Sequence, residues 1–471
     1  MGALQAPLLT PPVANTSRRV PVIIGCALLM ELIDATVVMT ALPQMGVELG
    51  VPSVRMNLVV SLYLLAAALA VPVSGWAADR FGPRRLFVLA MVLFTLSSLA
   101  CALAGSLLQL CLARLCQGAA GAMMVPVGMM ILLRWSPRED LLRNMSYLTI
   151  PPLIGPMLGP PLGGLMVTLL SWQWIFLVNL PIGVLGIYLV LRHIPDYPGA
   201  SDRPLDGRGL LLSSVALGAL VFGFEALGHG LLARRWVAVL LVLGALAALL
   251  YVRHARRCAQ PLLDFSPLRV RSFALSYWGG NLFRLGTAAQ PFLMVLLFQL
   301  CFGLSPLQAG LLTFTGGVGA FVVKLLAVRI VRRLGFRRTL SLNAVMTGLS
   351  LLACARFDLD TPYWLVVLVL FCSGLIRSLQ FSAMGGLTYA DVPARLHSRA
   401  SSLSAATVQL TMSVSVGIAA SLLGVLMSLK AEQQVGVGDI ATVMGVCAVV
   451  CMASALVFRH LAPEAGRDVY R

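Results

Sequence analysis

Seven charged side chains stand inside long apolar stretches of the sequence. They are Glu31, Asp34, Arg114, Glu225, Arg284, Lys324 and Arg377. A charge at membrane depth is costly to bury, so it normally faces a cavity or an opposite charge and marks an ion or substrate pathway. We therefore treat each of the seven as a candidate for binding protons or substrate.

Glu31 and Asp34 are the most informative of these residues. They are three positions apart and share one face of a helix. Two carboxylates this close cannot both ionise cheaply in an apolar cavity, so we expect one of them to hold a proton near neutral pH. Arg114 favours the ionised form, so protonation would switch an acid–arginine contact on and off. We predict that Asp34 is the principal proton carrier and that Glu31 contributes to protonation or cation recognition.

Plainer interpretations stay open for these charges. Asp34 could be only the fixed partner of Arg114, and Arg114 could be a structural residue bonded to backbone carbonyls. Arg284 and Arg377 are predicted to line a substrate cavity, where they attract anionic groups or pair with the acids of the first span. Tyr63 is an aromatic candidate for the same cavity, although most aromatic residues in spans only pack.

The two remaining charges have ordinary explanations as well. Lys324 stands near the end of its apolar stretch, where a lysine can snorkel to the interface. Glu225 stands where a water-exposed loop position is at least as plausible as a site.

The composition requires membrane-spanning helices to position these residues. Hydrophobic residues make up 59% of the 471 and charged residues 11%, whereas soluble domains carry about 25% charged residues. Apolar stretches near the length of about 20 residues that a spanning helix needs recur along the chain. We predict fourteen spans: 20–42, 57–77, 86–105, 107–133, 144–170, 174–191, 209–227, 236–252, 273–300, 306–328, 340–355, 362–384, 401–429 and 440–458. The first is too long for a cleaved signal peptide.

The placement of basic residues predicts the orientation. If the N-terminus is cytoplasmic, 26 of the 35 Lys and Arg residues fall on the cytoplasmic side, 5 fall on the opposite side and 4 lie within spans. This asymmetry places both termini in the cytoplasm by the positive-inside rule, and the number of spans must then be even. The net charge of +17 therefore reflects membrane topology, and we expect no nucleic-acid partner.

Several chemistries are excluded by what the sequence lacks. The only lysines, Lys324 and Lys430, follow Val323 and Leu429, so no Walker A phosphate loop exists. There is no HExxH motif, and most of the ten cysteines stand singly in apolar stretches, so we expect neither a metal nor a cofactor. Energy must come from an ion gradient, from passive flux or from a separate ATPase subunit.

A charged string follows the second span. It comprises Gly75, Asp79, Arg80, Gly82 and Arg84 at the spacing GxxxDRxGxR. The turn needs Gly82, and Asp79 beside Arg80 and Arg84 can make charge pairs that lock one conformation and break in another. The simpler alternative is a basic loop with a helix stop.

Two further strings lie in the fourth and fifth spans. The fourth contains Arg114 followed by Gln117-Gly118 and Gly121-Ala122. The fifth contains a glycine and proline string whose glycines recur every four residues and give one flat face for close helix approach, while the prolines bend the helix. Its members are Gly155, Gly159, Pro160, Gly163 and Gly164.

The three strings together resemble signature motifs of the major facilitator superfamily. The first resembles its cytoplasmic gating motif, the second its proton-transfer motif and the third its antiporter motif, which occurs in drug exporters. The segments 33–43 and 172–181 resemble the fourteen-span drug:proton antiporters of the EmrB/QacA type. Two departures stand out: Met39 replaces an asparagine usual in that family, and 328–338 resembles a second gate in which Arg332 stands where the acid would be.

The resemblance implies an all-α fold of two six-helix bundles plus two extra helices. It implies a cytoplasmic tail at 1–13, an N-terminal half at 14–195, a linker and extra helices at 196–271, a C-terminal half at 272–462 and a tail at 463–471. It further implies a monomer in the bacterial inner membrane that binds small molecules. Some relatives use a periplasmic adaptor, but no sequence feature indicates one here.

Three functions follow from these observations. The first is proton-coupled export of small amphipathic compounds by alternating access, which the antiporter string and the first-span acids favour. The second is proton-linked uptake or efflux of one specific metabolite. The third, a membrane enzyme or the permease subunit of an ATP-driven pump, lacks a catalytic cluster and would not be expected to combine the gating and antiporter strings.

Overall fold

A computed structural model describes residues 18–466, apart from 52, 197–198, 200–203, 230–231, 305, 325 and 431–434. The predicted tail at 1–13 lies outside the described residues, as does the end of the C-terminal tail after 466. Parts of the predicted linker that begins at 196 lie outside them too.

The described part of the chain is helical and contains no β-strand. We number its long helices in chain order: α1 Arg19–Glu48, α2 Ser53–Phe81, α3 Pro83–Ala102, α4 Leu107–Trp135, α5 Leu141–Leu169, α6 Trp174–His193, α7 Gly207–His229, α8 Arg234–Arg257, α9 Arg271–Cys301, α10 Pro306–Lys324, α11 Ala327–Cys354, α12 Tyr363–Ala390, α13 His397–Lys430 and α14 Val437–Phe458.

Each of the fourteen predicted spans coincides with one of these helices. Within the described residues, eleven helices are long and apolar enough to cross a membrane, or twelve if one sharply bent pair, α10 with α11, forms a single span. These findings establish a multi-pass α-helical membrane protein. The count of fourteen crossings is compatible with them and stays a prediction.

Local sequence signals explain where helices begin and end. Gly82 separates α2 from α3 with a φ of 91°, a conformation that side chains disfavour, and Pro83 opens α3 at a position that needs no N–H. Ser106 caps α4, since its hydroxyl accepts a hydrogen bond from the backbone N–H of Gln109. Gly335, with a φ of 73°, breaks α11 at the predicted second gate.

Glycines set the distance between neighbouring helices. A Cβ added at Gly118 of α4 would stand 2.2 Å from the backbone oxygen of Tyr63 on α2. A Cβ added at Gly25 of α1 would stand 2.6 Å from the backbone oxygen of Leu148 on α5. These helix pairs are therefore in backbone contact, as small residues allow in membranes.

The helices form two groups and an additional pair. Helices α1–α6 pack on one another, as do α9–α14, and the groups meet where α5 contacts α10 and α12 and where α13 contacts α2 and α4. Helix α7 packs against both α2 and α13: Ser214 donates a hydrogen bond to the backbone oxygen of Leu69, and Phe224 lies against Gly417. The boundaries of the halves stay predictions.

Gly118→Ala should destabilise the protein by about 1–3 kcal/mol, the usual range for overpacking, because the added methyl group meets backbone rather than a movable side chain. The measurement is thermal unfolding of purified protein in detergent. Gly445→Ala on α14 is the matched control, since its Cβ would have no neighbour within 4 Å. Equal unfolding temperatures for the two variants would contradict the inferred backbone contact.

Candidate functional site

An ion pair between α1 and α4 lies at the centre of the N-terminal half. Arg114 Nη1 donates to Asp34 Oδ2 at 2.6 Å, and 1% or less of either side chain is exposed. A buried charge needs a partner of opposite sign and further hydrogen bonds to offset its lost hydration. The contact predicted between the first-span acid and Arg114 is therefore present.

The second carboxylate oxygen of Asp34 is bound by two amides. Gln117 Nε2 donates to Oδ1 at 2.9 Å, and Asn179 Nδ2 on α6 donates to the same atom at 2.8 Å. Three N–H groups thus point at the carboxyl of Asp34. An ionised carboxylate only accepts hydrogen bonds, so this arrangement fits the deprotonated side chain.

Neighbouring groups orient these donors. Ser98 on α3 accepts hydrogen bonds from Gln117 at 2.7 Å and from Asn179 at 3.2 Å. Arg114 also donates to Gln117 Oε1 at 2.6 Å and to the backbone oxygen of Val59 at 3.3 Å. The ring of Tyr63 lies 4.2 Å from the guanidinium carbon, within cation–π distance. Helices α1, α2, α3, α4 and α6 all contribute to one buried network.

The glycine string of α5 positions the turn of α1 that carries Asp34. A Cβ added at Gly155 would stand 2.9 Å from Leu32 Cβ, and one at Gly159 would stand 2.0 Å from Thr36 Oγ1. Gly163 is buried farther along the same helix, whereas the surroundings of Pro160 and Gly164 lie outside the described part. The flat face predicted for this string therefore packs against α1, the helix that carries Glu31 and Asp34.

Glu31 lies one turn before Asp34 but outside its hydrogen-bond network. Its carboxyl and the hydroxyl of Tyr63 both border Gly121 of α4. The Glu31 side chain is partly buried, and its Oε2 is a buried atom that has no hydrogen-bond partner among the described residues. Asp34 and Glu31 therefore occupy different environments, one saturated with donors and the other not.

The gating string makes different contacts from those predicted. Asp79 pairs with Arg134 at the end of α4 at 3.2 Å, rather than with Arg80 or Arg84. Arg84 instead donates to the backbone oxygen of Leu191 at the end of α6. The pairing predicted within the string is not present in this conformation, because the neighbouring helix ends offer closer partners to a turn whose direction Gly82 fixes.

The two halves are joined at the end that carries this string. Ser398 on α13 donates to the backbone oxygen of Gly75 at 3.2 Å, and Ser401 donates to the backbone oxygen of Pro126 at 2.9 Å. A Cβ added at Gly75 would stand 2.2 Å from Ser402 Oγ. Gly75 therefore lets α2 and α13 touch, and this end of the molecule is closed.

Arg284 and Arg377 of the C-terminal half have no carboxylate partner among the described residues. Arg377 donates to the side-chain oxygen of Gln290 at 2.8 Å, and the guanidinium of Arg284 lies 5.8 Å from the ring centre of Phe381. Neither reaches Glu31 or Asp34, so the pairing considered as an alternative is not present in this conformation. Both arginines are partly exposed within spanning helices.

Lys324 does not snorkel. Its side chain is 6% exposed, and Nζ donates to Thr149 Oγ1 on α5 at 2.7 Å and to Ser382 Oγ on α12 at 2.6 Å. The end of α10 is held inside the bundle, so the amine of Lys324 has no route to an interface. The side chain of Glu225 lies outside the described part.

Sequence reasoning missed three members of the Asp34 network. Gln117 and Asn179 stand within strings that were noticed, but no role followed from their types, and Ser98 carried no signal beyond being polar in an apolar span. An amide in a spanning helix needs partners, so both amides could have been assigned to the nearest buried charge.

One group of side chains outside this network resembles a metal site. Ligand atoms of Asp206, His254 and Cys258 lie within 4.8 Å of one another where α7 and α8 meet. His254 Nε2 is 2.9 Å from Asp206, which also accepts from the backbone N–H of Gly209 and caps α7. Helix capping and the hydrogen bond between His254 and Asp206 account for this arrangement.

Comparisons with known proteins agree with this architecture. The family model of the Major Facilitator Superfamily matches residues 24–280 and 272–469. MdtD of Escherichia coli O6:H1, a protein named for multidrug resistance, is 40% identical over 407 residues that cover 85% of each chain. MdtD of Shigella boydii serotype 18 is 39% identical over 404 residues, again 85% of each.

Two solved structures share the fold. The human organic anion transporter MFSD10 has a TM-score of 0.69 at 15% identity, over 94% of this chain and all of that one. The proton:xylose symporter XylE has a TM-score of 0.66 at 14% identity, over 95% of this chain and 96% of that one.

A double-mutant cycle should measure the coupling within the Asp34 network. Asp34→Asn and Arg114→Gln should each lower the free energy of unfolding by about 3–5 kcal/mol, because each leaves an uncompensated buried charge or donor set. The double variant should lose less than the two single losses combined. Arg356→Gln, at an exposed arginine, is the control. Additive losses would contradict the ion pair.

Proposed function

Since the chain belongs to the major facilitator superfamily and is therefore a secondary transporter, we propose that it exports small amphipathic compounds in exchange for protons. The single observation that carries the proposal is the buried Asp34–Arg114 pair with its two amide donors. Protonating Asp34 would remove the negative charge that holds Arg114, and the donors around it would lose their acceptor. A proton would thus convert a satisfied network into an unsatisfied one.

Asp34 is the principal proton carrier in this scheme. Its neutral form cannot accept three strong hydrogen bonds and offset a guanidinium, so protonation favours a conformation in which α1 and α4 have moved apart. Glu31, one turn away and without a partner for Oε2, extends the proton route or contacts a cationic substrate. The glycine contacts of Gly155 and Gly159 with α1 would transmit a shift of α1 to α5.

Alternating access in this scheme depends on opening and closing the end of the molecule that carries the gating string. If the termini are cytoplasmic, the contacts of Gly75, Pro126 and Thr149 with the C-terminal half close the cytoplasmic side. The pair of Asp79 with Arg134 would stabilise that closure. Movement of α1 and α4 after protonation would loosen it, and substrate from the cytoplasm would then enter.

The substrate region lies between the halves. Arg284, Arg377 and Tyr63 supply polar and aromatic contacts there, while the surrounding helices supply apolar surface.

The MdtD relatives carry multidrug-resistance names, and their 40% identity supports the same class of cargo here. A membrane potential contributes about 2.3 kcal/mol per charge per 100 mV, so one net inward charge supports substantial export.

The proposal places the chain in the bacterial inner membrane with both termini in the cytoplasm. It needs no cofactor, because the proton gradient supplies the energy. The protein would act as a monomer on small molecules within the lipid bilayer, and neither a nucleic acid nor a periplasmic adaptor is required for the cycle.

Resistance of a drug-sensitive host tests the export of amphipathic compounds. A host without its own exporters would be challenged with ethidium, benzalkonium, deoxycholate and novobiocin while it expresses wild type or Asp34→Asn at equal levels. Wild type should raise the inhibitory concentration of at least one compound, and Asp34→Asn should not, because it cannot exchange protons. Equal sensitivity across the panel would contradict the drug-export proposal.

Flux in liposomes tests the direction of coupling. Purified protein would be reconstituted with an acidic interior and with equal concentrations, on both sides, of the compound that gave the largest resistance. Proton exit through an antiporter should accumulate the compound inside, whereas a symporter of a specific metabolite would carry it out. Asp34→Asn should behave like empty liposomes. Movement of the compound out with the protons would favour the metabolite-transport alternative.

A further inference from the structure

We propose that Lys324 is a second protonatable residue of the transport cycle, neutral while α5 and α10 touch and protonated when they separate. This inference rests on the proposed function, since it assigns a further coupling residue to the same cycle. It goes beyond that function because Lys324 lies far along the chain from the Asp34 network and joins the two halves directly.

The position of Lys324 links both halves at their closed end. It is the last residue of α10, in the C-terminal half, and its Nζ donates to Thr149 Oγ1 on α5, in the N-terminal half, at 2.7 Å. A second hydrogen bond runs to Ser382 Oγ on α12 at 2.6 Å. Separation of the halves at this end must break the contact with Thr149.

The two acceptors suit a neutral amine. Thr149 donates its own hydroxyl proton to the backbone oxygen of Met145, and Ser382 donates its proton to the backbone oxygen of Ser378. Both hydroxyl oxygens can therefore only accept from Lys324. A neutral amine has two N–H donors, and both find an acceptor, whereas an ammonium has three. The described residues provide no third hydrogen-bond acceptor for Nζ.

Among the described residues, the helices around Lys324 offer no carboxylate counter-ion to an ammonium. Helices α5, α9, α11 and α12 pack against α10, and none of the five contains an Asp or a Glu. Apart from Lys324 itself, the charged groups on these five helices are all arginines: Arg143, Arg271, Arg284, Arg329, Arg332, Arg333, Arg337, Arg338 and Arg377. The other titratable groups on them are tyrosines and cysteines, which do not ionise at neutral pH: Tyr147, Tyr277, Tyr363, Tyr389, Cys301, Cys354 and Cys372.

The closed contact therefore favours the uncharged lysine, because an unpaired ammonium at 6% exposure loses its hydration without compensation. When α5 and α10 separate, Nζ meets water and takes up a proton. When they close again, the ammonium returns that proton to water at the same end and leaves the neutral amine. Acid on this side would consequently hold the end open, and alkali would favour closure.

Distance measurements across the closed end test this proposal. Spin labels would replace Glu139, in the N-terminal half, and Arg395, in the C-terminal half, after the exposed Cys26, Cys116 and Cys372 are changed to serine. The full chain in nanodiscs would be measured by double electron–electron resonance from pH 5.5 to pH 9 without substrate. Wild type should shift from long to short distances as the pH rises, because neutral Lys324 permits closure.

Two substitutions at Lys324 should move this response in opposite directions. Lys324→Gln cannot take up a proton and should lose the part of the pH response that Lys324 causes, so that its short-distance population at acidic pH exceeds that of wild type. Lys324→Arg cannot lose its proton and should keep the long distance. Lys430→Gln, at the only other lysine, is the matched control and should behave as wild type. The proposal is overturned if Lys324→Gln retains the wild-type dependence on pH.

The same measurement in an Asp34→Asn background separates this inference from the proposed function. A remaining pH response that disappears with Lys324→Gln would support Lys324 even if no flux assay detects export. If export is proton-driven but Lys324→Gln does not change the pH dependence of the spin-label distance, the proposed function is retained and the role of Lys324 is overturned.

Discussion

The ion pair between Asp34 and Arg114 constrains the rest of the N-terminal half, because a charge pair with 1% or less of either side chain exposed tolerates little displacement. Its stability depends on three donors that come from α4 and α6, and on a serine of α3 that holds two of them. Glycines of α4 and α5 allow the backbone contacts with α2 and α1 that bring these groups within reach. A small movement of one helix therefore changes the electrostatic energy of a network to which five helices contribute.

Much of the fold could be predicted from the sequence, and less of the site. Apolar stretches located the helices because burial in lipid requires continuous hydrophobic segments. The contact of Asp34 with Arg114 was predictable since each charge needed a partner. The amides of Gln117 and Asn179 were not, because an amide can bond to almost any neighbour. The buried position of Lys324 was not predictable, since the sequence does not tell which end of a span is covered by the other half.

The two halves repeat a scaffold but not its chemistry. Residues 116–118 of α4 and 372–374 of α12 share the pattern Cys-x-Gly, and each glycine meets a backbone oxygen of the paired helix, at 2.2 Å for a Cβ at Gly118 and 1.8 Å for one at Gly374. The offset in residue number between these two patterns also relates Asp34 to Gln290, so the second half has an amide where the first half has an acid. Arg377 therefore binds an amide rather than an acid. The N-terminal half therefore carries a titratable acid, Asp34, whereas the C-terminal half carries an arginine, Arg377, that has no carboxylate partner among the described residues.

The additional helices have a consequence for how lipid-dissolved molecules reach the protein. Helix α7 bridges α2 and α13, so it covers one of the two seams where the halves meet, while no helix of the described part of the chain covers the seam beside α5 and α10 in this way. Within the plane of the membrane, the seam beside α2 and α13 is thus covered and the seam beside α5 and α10 faces lipid. A compound that partitions into the bilayer before transport would encounter the space between the halves from one direction only, and the lipids next to α5 and α10 become part of its path.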